Sequence, residues 1–146
     1  MRRAYRVGVV LLLALGVHAS PVFAQTDPPG RERSQLGQNY PNPFNPVTRI
    51  PFDLVEADFE GGKVPKVTIT IFNVLRQPVA HPTALNHPAG NAAEVNNLEF
   101  YSPGKYEAYW DGTDREGNKV ASGIYIALLV INGQPASRPV KMVVAK

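Results

Sequence analysis

The chain has 146 residues, with 15 Lys and Arg against 12 Asp and Glu, a formal net charge of +3 and a pI near 9.3. Arg2, Arg3 and Arg6 supply the excess: without these three, 12 basic residues face 12 acidic ones, so no basic stripe is left to neutralise phosphates and nucleic acid is excluded as a partner. Cys is absent, which excludes a disulfide framework, a thiol nucleophile and the modified Cys of a lipoprotein.

Residues 1–24 read as a cleaved signal peptide. Three arginines precede an apolar run at 7–17, and Val22 and Ala24 are small enough for a cleavage site before Gln25. Such a run reaches only about 16 Å as a helix, half the hydrocarbon core, so no stable membrane span is expected after cleavage. The expected route crosses the inner membrane and ends outside the cell or at its surface, with the periplasm as fallback. Residues 25–35, with Pro28, Pro29 and Gly30, read as a linker. Residues 36–146 then fit a single domain.

Within that domain no long helical period occurs. Short alternating stretches separated by turn residues predict an all-β sandwich or barrel. At 38–46, QNYPNPFNP sets three prolines and three asparagines around Tyr40 and Phe44; its rigid, extended backbone reads as a lead-in whose aromatics cap the core. A strand is predicted at 48–54, with Ile50, Phe52 and Leu54 on one face and Pro51 marking an edge. The next, 66–74, puts Val67, Ile69 and Ile71 opposite Thr68, Thr70 and Phe72. Residues 80–103 read mostly as loop, with weak strands near 77–80 and 95–100. A strand at 104–110 directs Tyr106, Ala108 and Trp110 inward, and Trp110 is expected beside Tyr106, Ile69, Ile71 and Leu129.

The segment 110–123, WDGTDREGNKVASG, is turn chemistry. Asp111, Asp114, Glu116 and Asn118 suggest a calcium loop, but position twelve from Asp111 is Ser122 where an EF-hand requires Glu; only a weak surface site at Asp111 and Asp114 stays open. No metal centre and no cofactor is expected. His81 and His87 lack a metal-pair spacing, the acidic run Glu56, Asp58 and Glu60 reads as a solvated edge, and no nucleophile elbow or phosphate loop occurs. No catalytic residue is therefore assigned, and the protein is expected not to be an enzyme.

The strand at 123–131 is apolar on both faces. Tyr125, Ala127, Leu129 and Ile131 fill one, and Ile124, Ile126, Leu128 and Val130 fill the other. Four contiguous aliphatics on the outside require a cover, either from 80–103, from the lead-in around Tyr40 and Phe44, or from a partner chain by self-association or assembly. A last strand, 140–145, sets Val140, Met142 and Val144 against Lys141 and Val143.

The stretches LGQNYPNPFNPVTRIPFDL at 36–54, VTITIFNVLRQPVA at 67–80, GKYEAYWDGTDREGNKVASGIYIALL at 104–129 and VKMVVAK at 140–146 together resemble the C-terminal sorting domain of type IX secretion cargo. The branch is the one also similar to the immunoglobulin-like domain of the flagellar hook-capping protein. This resemblance covers 36–146 and implies an immunoglobulin-like antiparallel two-sheet sandwich of about seven strands. It implies recognition by the secretion machinery of the outer membrane, then cell-surface attachment. The family pattern maps onto the lead-in at 39–46, onto Gly123 and Tyr125 of a Gly-x-Tyr element, and onto Lys141, Met142, Val143, Val144 and Lys146 of a basic terminal strand. One departure is Arg76, where the family has Gly in a turn. A second is that the domain follows the leader and linker without a large cargo. That leaves a structural or adhesive subunit of a surface assembly as the rival role, and a carbohydrate-binding surface at Tyr101 or Tyr109 as a third.

Overall fold

A computed structural model of the chain describes residues 32–90 and 92–146; the signal-peptide expectation for 1–24 lies outside them, as does the linker up to residue 31. In chain order the elements are β1 (Gln35–Leu36), β2 (Thr48–Leu54), a 3₁₀ stretch (Glu56–Gly62), β3 (Lys66–Asn73), β4 (Pro78–Ala80), β5 (Thr83–Ala84), β6 (Leu98–Glu99), β7 (Gly104–Trp110), β8 (Gly123–Ile131), β9 (Gln134–Pro135) and β10 (Val140–Val144). They form two antiparallel sheets, ordered β1-β2-β7-β5 and β10-β8-β3-β4, with β6 on β3 and β9 on β8. The fold is an all-β two-sheet sandwich, as the alternation predicts.

Phase explains the core. Ile50, Phe52 and Leu54 of β2, Val67, Ile69 and Ile71 of β3, and Ala127 and Leu129 of β8 are all buried, and every second residue between them faces outward. Successive side chains in a strand project to opposite faces, so one apolar set per strand closes the space between the sheets. The same rule puts Met142 and Val144 of β10 inside. Pro51 does not mark an edge, since β2 lies between β1 and β7; its missing donor falls on the β1 side, where the strand pairing ends at Leu36 and the Pro51 carbonyl accepts from Gly37 N–H at 2.8 Å, so the pairing with β7 has no gap.

Three further expectations need correction. Trp110 is buried, but its ring neighbours are Phe44, 5.4 Å between centroids, and Tyr125, at 5.6 Å. Tyr106 sits further along β7, stacked on Phe52 at 5.6 Å and edge-on to Phe100 at 4.8 Å, because residues 106 and 110 are two full strand repeats apart. Residues 80–103 hold more than the weak strands expected near 77–80 and 95–100, where β4 and β6 do form: β5 joins the other sheet, and Ala84, Val95 and Phe100 are buried in the shared core. Ser34 and Gln35, assigned to the linker, belong to the domain. Ser34 is buried, its hydroxyl donates to Asp58 and accepts from Val55 N–H at 3.0 Å, and Gln35 opens β1. Asp58 thereby turns the acidic run into a docking point for the chain entering the fold.

The aromatic packing sets one expected outcome. Trp110→Ala removes a ring buried between Phe44 and Tyr125 and should cost about 3–5 kcal/mol in chemical denaturation, while the native protein emits as a solvent-shielded indole. Emission at the wavelength of free tryptophan in the folded state would contradict this packing.

Candidate functional site

The resemblance singles out the lead-in, the Gly-x-Tyr element and the terminal strand, which are distant in sequence. In the fold the lead-in runs across one end of the sandwich and bonds to both sheets. Tyr40 exchanges two backbone hydrogen bonds with Arg49 of β2, each 2.9 Å. Four residues on, Phe44 N–H donates to the Val143 carbonyl at 2.9 Å, and Ala145 N–H donates to the Phe44 carbonyl at 3.0 Å. Side chains complete the cover of β10: Asn42 Oδ1 accepts from Val143 N–H at 2.9 Å, and Gln38 Nε2 donates to the Lys141 carbonyl at 3.0 Å. The outer edge of the last strand is therefore occupied at the Lys141 carbonyl, at both backbone groups of Val143 and at Ala145 N–H. Unpaired edge groups invite strand addition from other chains, and the lead-in removes them.

The lead-in is itself pinned by polar groups. Asn39 is buried, its Nδ2 donating to the Pro41 carbonyl at 3.1 Å and to Thr48 Oγ1 at 2.9 Å, while its Oδ1 accepts from Gln38 Nε2 at 2.7 Å. The Tyr40 ring lies over the outside of the first sheet. Its hydroxyl donates to Glu107, whose carboxylate also pairs with Arg49 Nη1 at 3.1 Å. The tyrosine hydrogen bond, helped by Arg49, holds the Glu107 carboxyl below the usual carboxylate range. Sequence reasoning missed the roles of Gln38, Asn39 and Asn42; the signal was the placing of amides between prolines, where side chains supply the hydrogen bonds that a proline-broken backbone cannot.

The WDG turn explains itself by contact. Gly112 has φ +74°, and a Cβ there would lie 2.7 Å from the Pro46 carbonyl oxygen. Only glycine lets the end of the lead-in pass this close. In the following turn, Asp111 Oδ1 accepts from Thr113 N–H at 3.0 Å and Thr113 Oγ1 at 2.6 Å, and Asp114 Oδ1 accepts from Glu116 and Asn118 N–H at 3.0 and 2.8 Å. These oxygens act as acceptors for their own turn. Among the described residues no group of three or more His, Cys, Asp or Glu is placed to hold a metal ion. The histidines bond to backbone: His81 Nδ1 donates to the Ile69 carbonyl at 2.9 Å, and His87, buried against Phe100, donates from Nε2 to the Glu99 carbonyl at 2.8 Å while Nδ1 accepts from Ala89 N–H at 3.0 Å. Tyr101 is exposed with its hydroxyl on Glu99 at 3.1 Å, and Tyr109 points outward from β7, half-buried.

The seven residues mapped from the sorting-domain pattern fall into two sets. Tyr125, Met142 and Val144 are buried; the Tyr125 ring packs edge-on to Trp110 and its hydroxyl donates to the Ala121 carbonyl at 2.9 Å. Gly123, Lys141 and Lys146 are exposed, and Val143 is half-buried on the outer face. Gly123, at φ +152°, starts β8 in a conformation that only glycine adopts freely. On the outer face of the second sheet, Lys141 stands opposite Ile126 and Val143 opposite Ile124, with Phe72, Thr70 and Thr68 on the far side opposite Ile126, Leu128 and Val130. The lead-in does not cover this face, since Phe44 is in the core and Tyr40 lies on the other sheet. The 80–103 segment reaches its margin, where Asn97 N–H donates to Thr68 Oγ1 at 2.9 Å and His81 approaches Thr70. Ile126, Leu128 and Val130 are consequently half-buried and Ile124 is exposed.

Comparison of the chain with family models, with curated proteins and with solved structures gave no match.

Two outcomes follow from this geometry. Gly112→Ala should destabilise by about 2–4 kcal/mol, combining a left-handed backbone with the clash against the Pro46 carbonyl, whereas Gly117→Ala, with φ +86° and open space around it, should cost only the backbone part. Burial raises the Tyr125 hydroxyl above its ordinary 10.0, so the folded state favours the protonated phenol. Stability from that preference is complete below pH 10 and drains away as pH rises past it; Tyr125→Phe should flatten this alkaline loss in a melting-temperature series from pH 8 to about 11.

Proposed function

We propose that the chain is a non-enzymatic exported β-sandwich module whose role is sorting: it directs passage across the outer membrane or attachment at the cell surface. The observation that carries this reading is the meeting of two elements that the resemblance singles out. The lead-in at 39–46 and the basic terminal strand, about 100 residues apart, are joined by the Phe44–Val143 and Ala145–Phe44 backbone hydrogen bonds and by Asn42. A recognition element built from both ends of a domain exists only once that domain has folded, which suits a signal read after passage through the inner membrane. The groups of the terminal strand left outward, Lys141, Val143 and Lys146 with Gly123 beside them, form the contact surface for the secretion machinery. Its backbone edge is already occupied, so recognition runs through side chains and not through strand addition.

A second reading, a structural or adhesive subunit that uses the sandwich as scaffold, draws on the apolar outer row Ile124, Ile126, Leu128 and Val130, the place where a neighbouring subunit would pack. One experiment separates the two. Residues 32–146 are fused to a periplasmic reporter in a host with type IX machinery. The reporter should reach the outside with the intact module and stay periplasmic with a Lys141→Glu/Val143→Glu variant that keeps its melting temperature. A reporter held in the periplasm by the intact module would sink the sorting role.

A further inference from the structure

The most exposed aliphatic side chains of the described residues are gathered at one place. Leu75 is 75% exposed and Val74 63%, both in the tip of the β3–β4 hairpin, and Ile124 is 44% exposed at the adjoining start of β8. Asn73 is registered with Tyr125 and Val143 with Ile124, so Val143, Ile124 and Val74 occupy successive columns at the same end of the second sheet. Hairpin tips are ordinarily polar, because turn residues face water. This one instead presents two aliphatics on a fixed frame. Asn73 Oδ1 accepts from Leu75 and Gln77 N–H, each at 3.0 Å, Asn73 Nδ2 donates to Gln77 Oε1 at 2.9 Å, and Arg76 takes φ +60° to close the turn. Arg76 stands in the tip and Lys141 on the outer face of the sheet near it, both exposed; Asp114, Arg115, Glu116 and Lys119 share the hollow beside Asn73 and Gln77, so cations outnumber acids four to two at this end.

We infer that this end of the sandwich is a peripheral membrane-contact surface, in which Val74, Leu75 and Ile124 enter the headgroup–acyl boundary of an anionic lipid layer and Arg76 and Lys141 meet its phosphates. A protruding aliphatic tip flanked by cations matches the two requirements of interfacial binding, apolar insertion and attraction to anionic headgroups. This surface shares Lys141 with the export reading but is tested independently of it: the sorting experiment reads the location of a reporter, and the membrane experiment reads purified protein on lipid.

The test uses purified chain from residue 25 onward, which contains every strand and every core residue of the described fold. It should co-sediment with vesicles of mixed phosphatidylglycerol and phosphatidylethanolamine at low salt, and lose that binding on vesicles of phosphatidylcholine alone or at high salt. Val74→Asp/Leu75→Asp should lower the partition coefficient by about tenfold or more, and Arg76→Glu by about fivefold, without shifting the melting temperature, since all three side chains are exposed. Leu75→Trp should shift to bluer emission on the anionic vesicles, against a constant background from buried Trp110. Failure of the native chain to bind anionic vesicles, equal binding by the double Asp variant, or an unshifted Leu75→Trp emission would each overturn the inference.

Discussion

The Phe44 ring against Trp110, with its backbone amide and carbonyl both bonded to β10, is the contact on which the closed sandwich depends. Each sheet is internally paired, but two sheets with apolar inner faces need something to fix their separation and offset. The lead-in does this from the side. Tyr40 bonds to β2, Phe44 bonds to β10, and between them the chain crosses from one sheet to the other within four residues. Trp110 at the end of β7 and Tyr125 near the start of β8 then close around Phe44, so three aromatic rings from three parts of the chain pack in a single corner. In a chain without Cys this corner does the work that a disulfide does in many small exported domains.

Occupying the edge of β10 has a second effect. The strand remains exposed to partners only through its outward side chains, while its hydrogen-bonding groups are spoken for by Gln38, Asn42 and Phe44. The sandwich therefore offers side-chain chemistry without offering a template for aggregation. The outer face of the second sheet, with its aliphatic row and its two lysines, is where that chemistry is concentrated.

How much of this was legible in the sequence varies with the kind of signal. Strands β2, β3 and β7 follow from alternation, because a half-buried strand cannot hide its period, whereas β8 is legible only as a long apolar run. The inward phase of Ile69 follows from the same rule, and that of Leu129 from the resemblance. Trp110 reads as core, yet its partners do not, since alternation fixes a face and not the position along it; Tyr106 was assigned to the wrong end for that reason. β5 and the burial of Ala84, Val95 and Phe100 were not legible, because isolated apolar residues among prolines and asparagines have no phase. Ser34 was missed because a single hydroxyl in a polar segment looks like any linker serine until Asp58 meets it. The amides of the lead-in were visible as composition, but their geometry depends on a contact with β10 that no local pattern announces.

The pairing of the lead-in with residues 143 and 145 also sets an order of events. Those contacts span about 100 residues of chain, so they form only after nearly all of the domain is available, and long-range closure of this kind is slow compared with hairpin formation. During synthesis the early strands can pair locally, but the aromatic corner stays open until residue 145 has emerged, so the sandwich is completed last at its final strand.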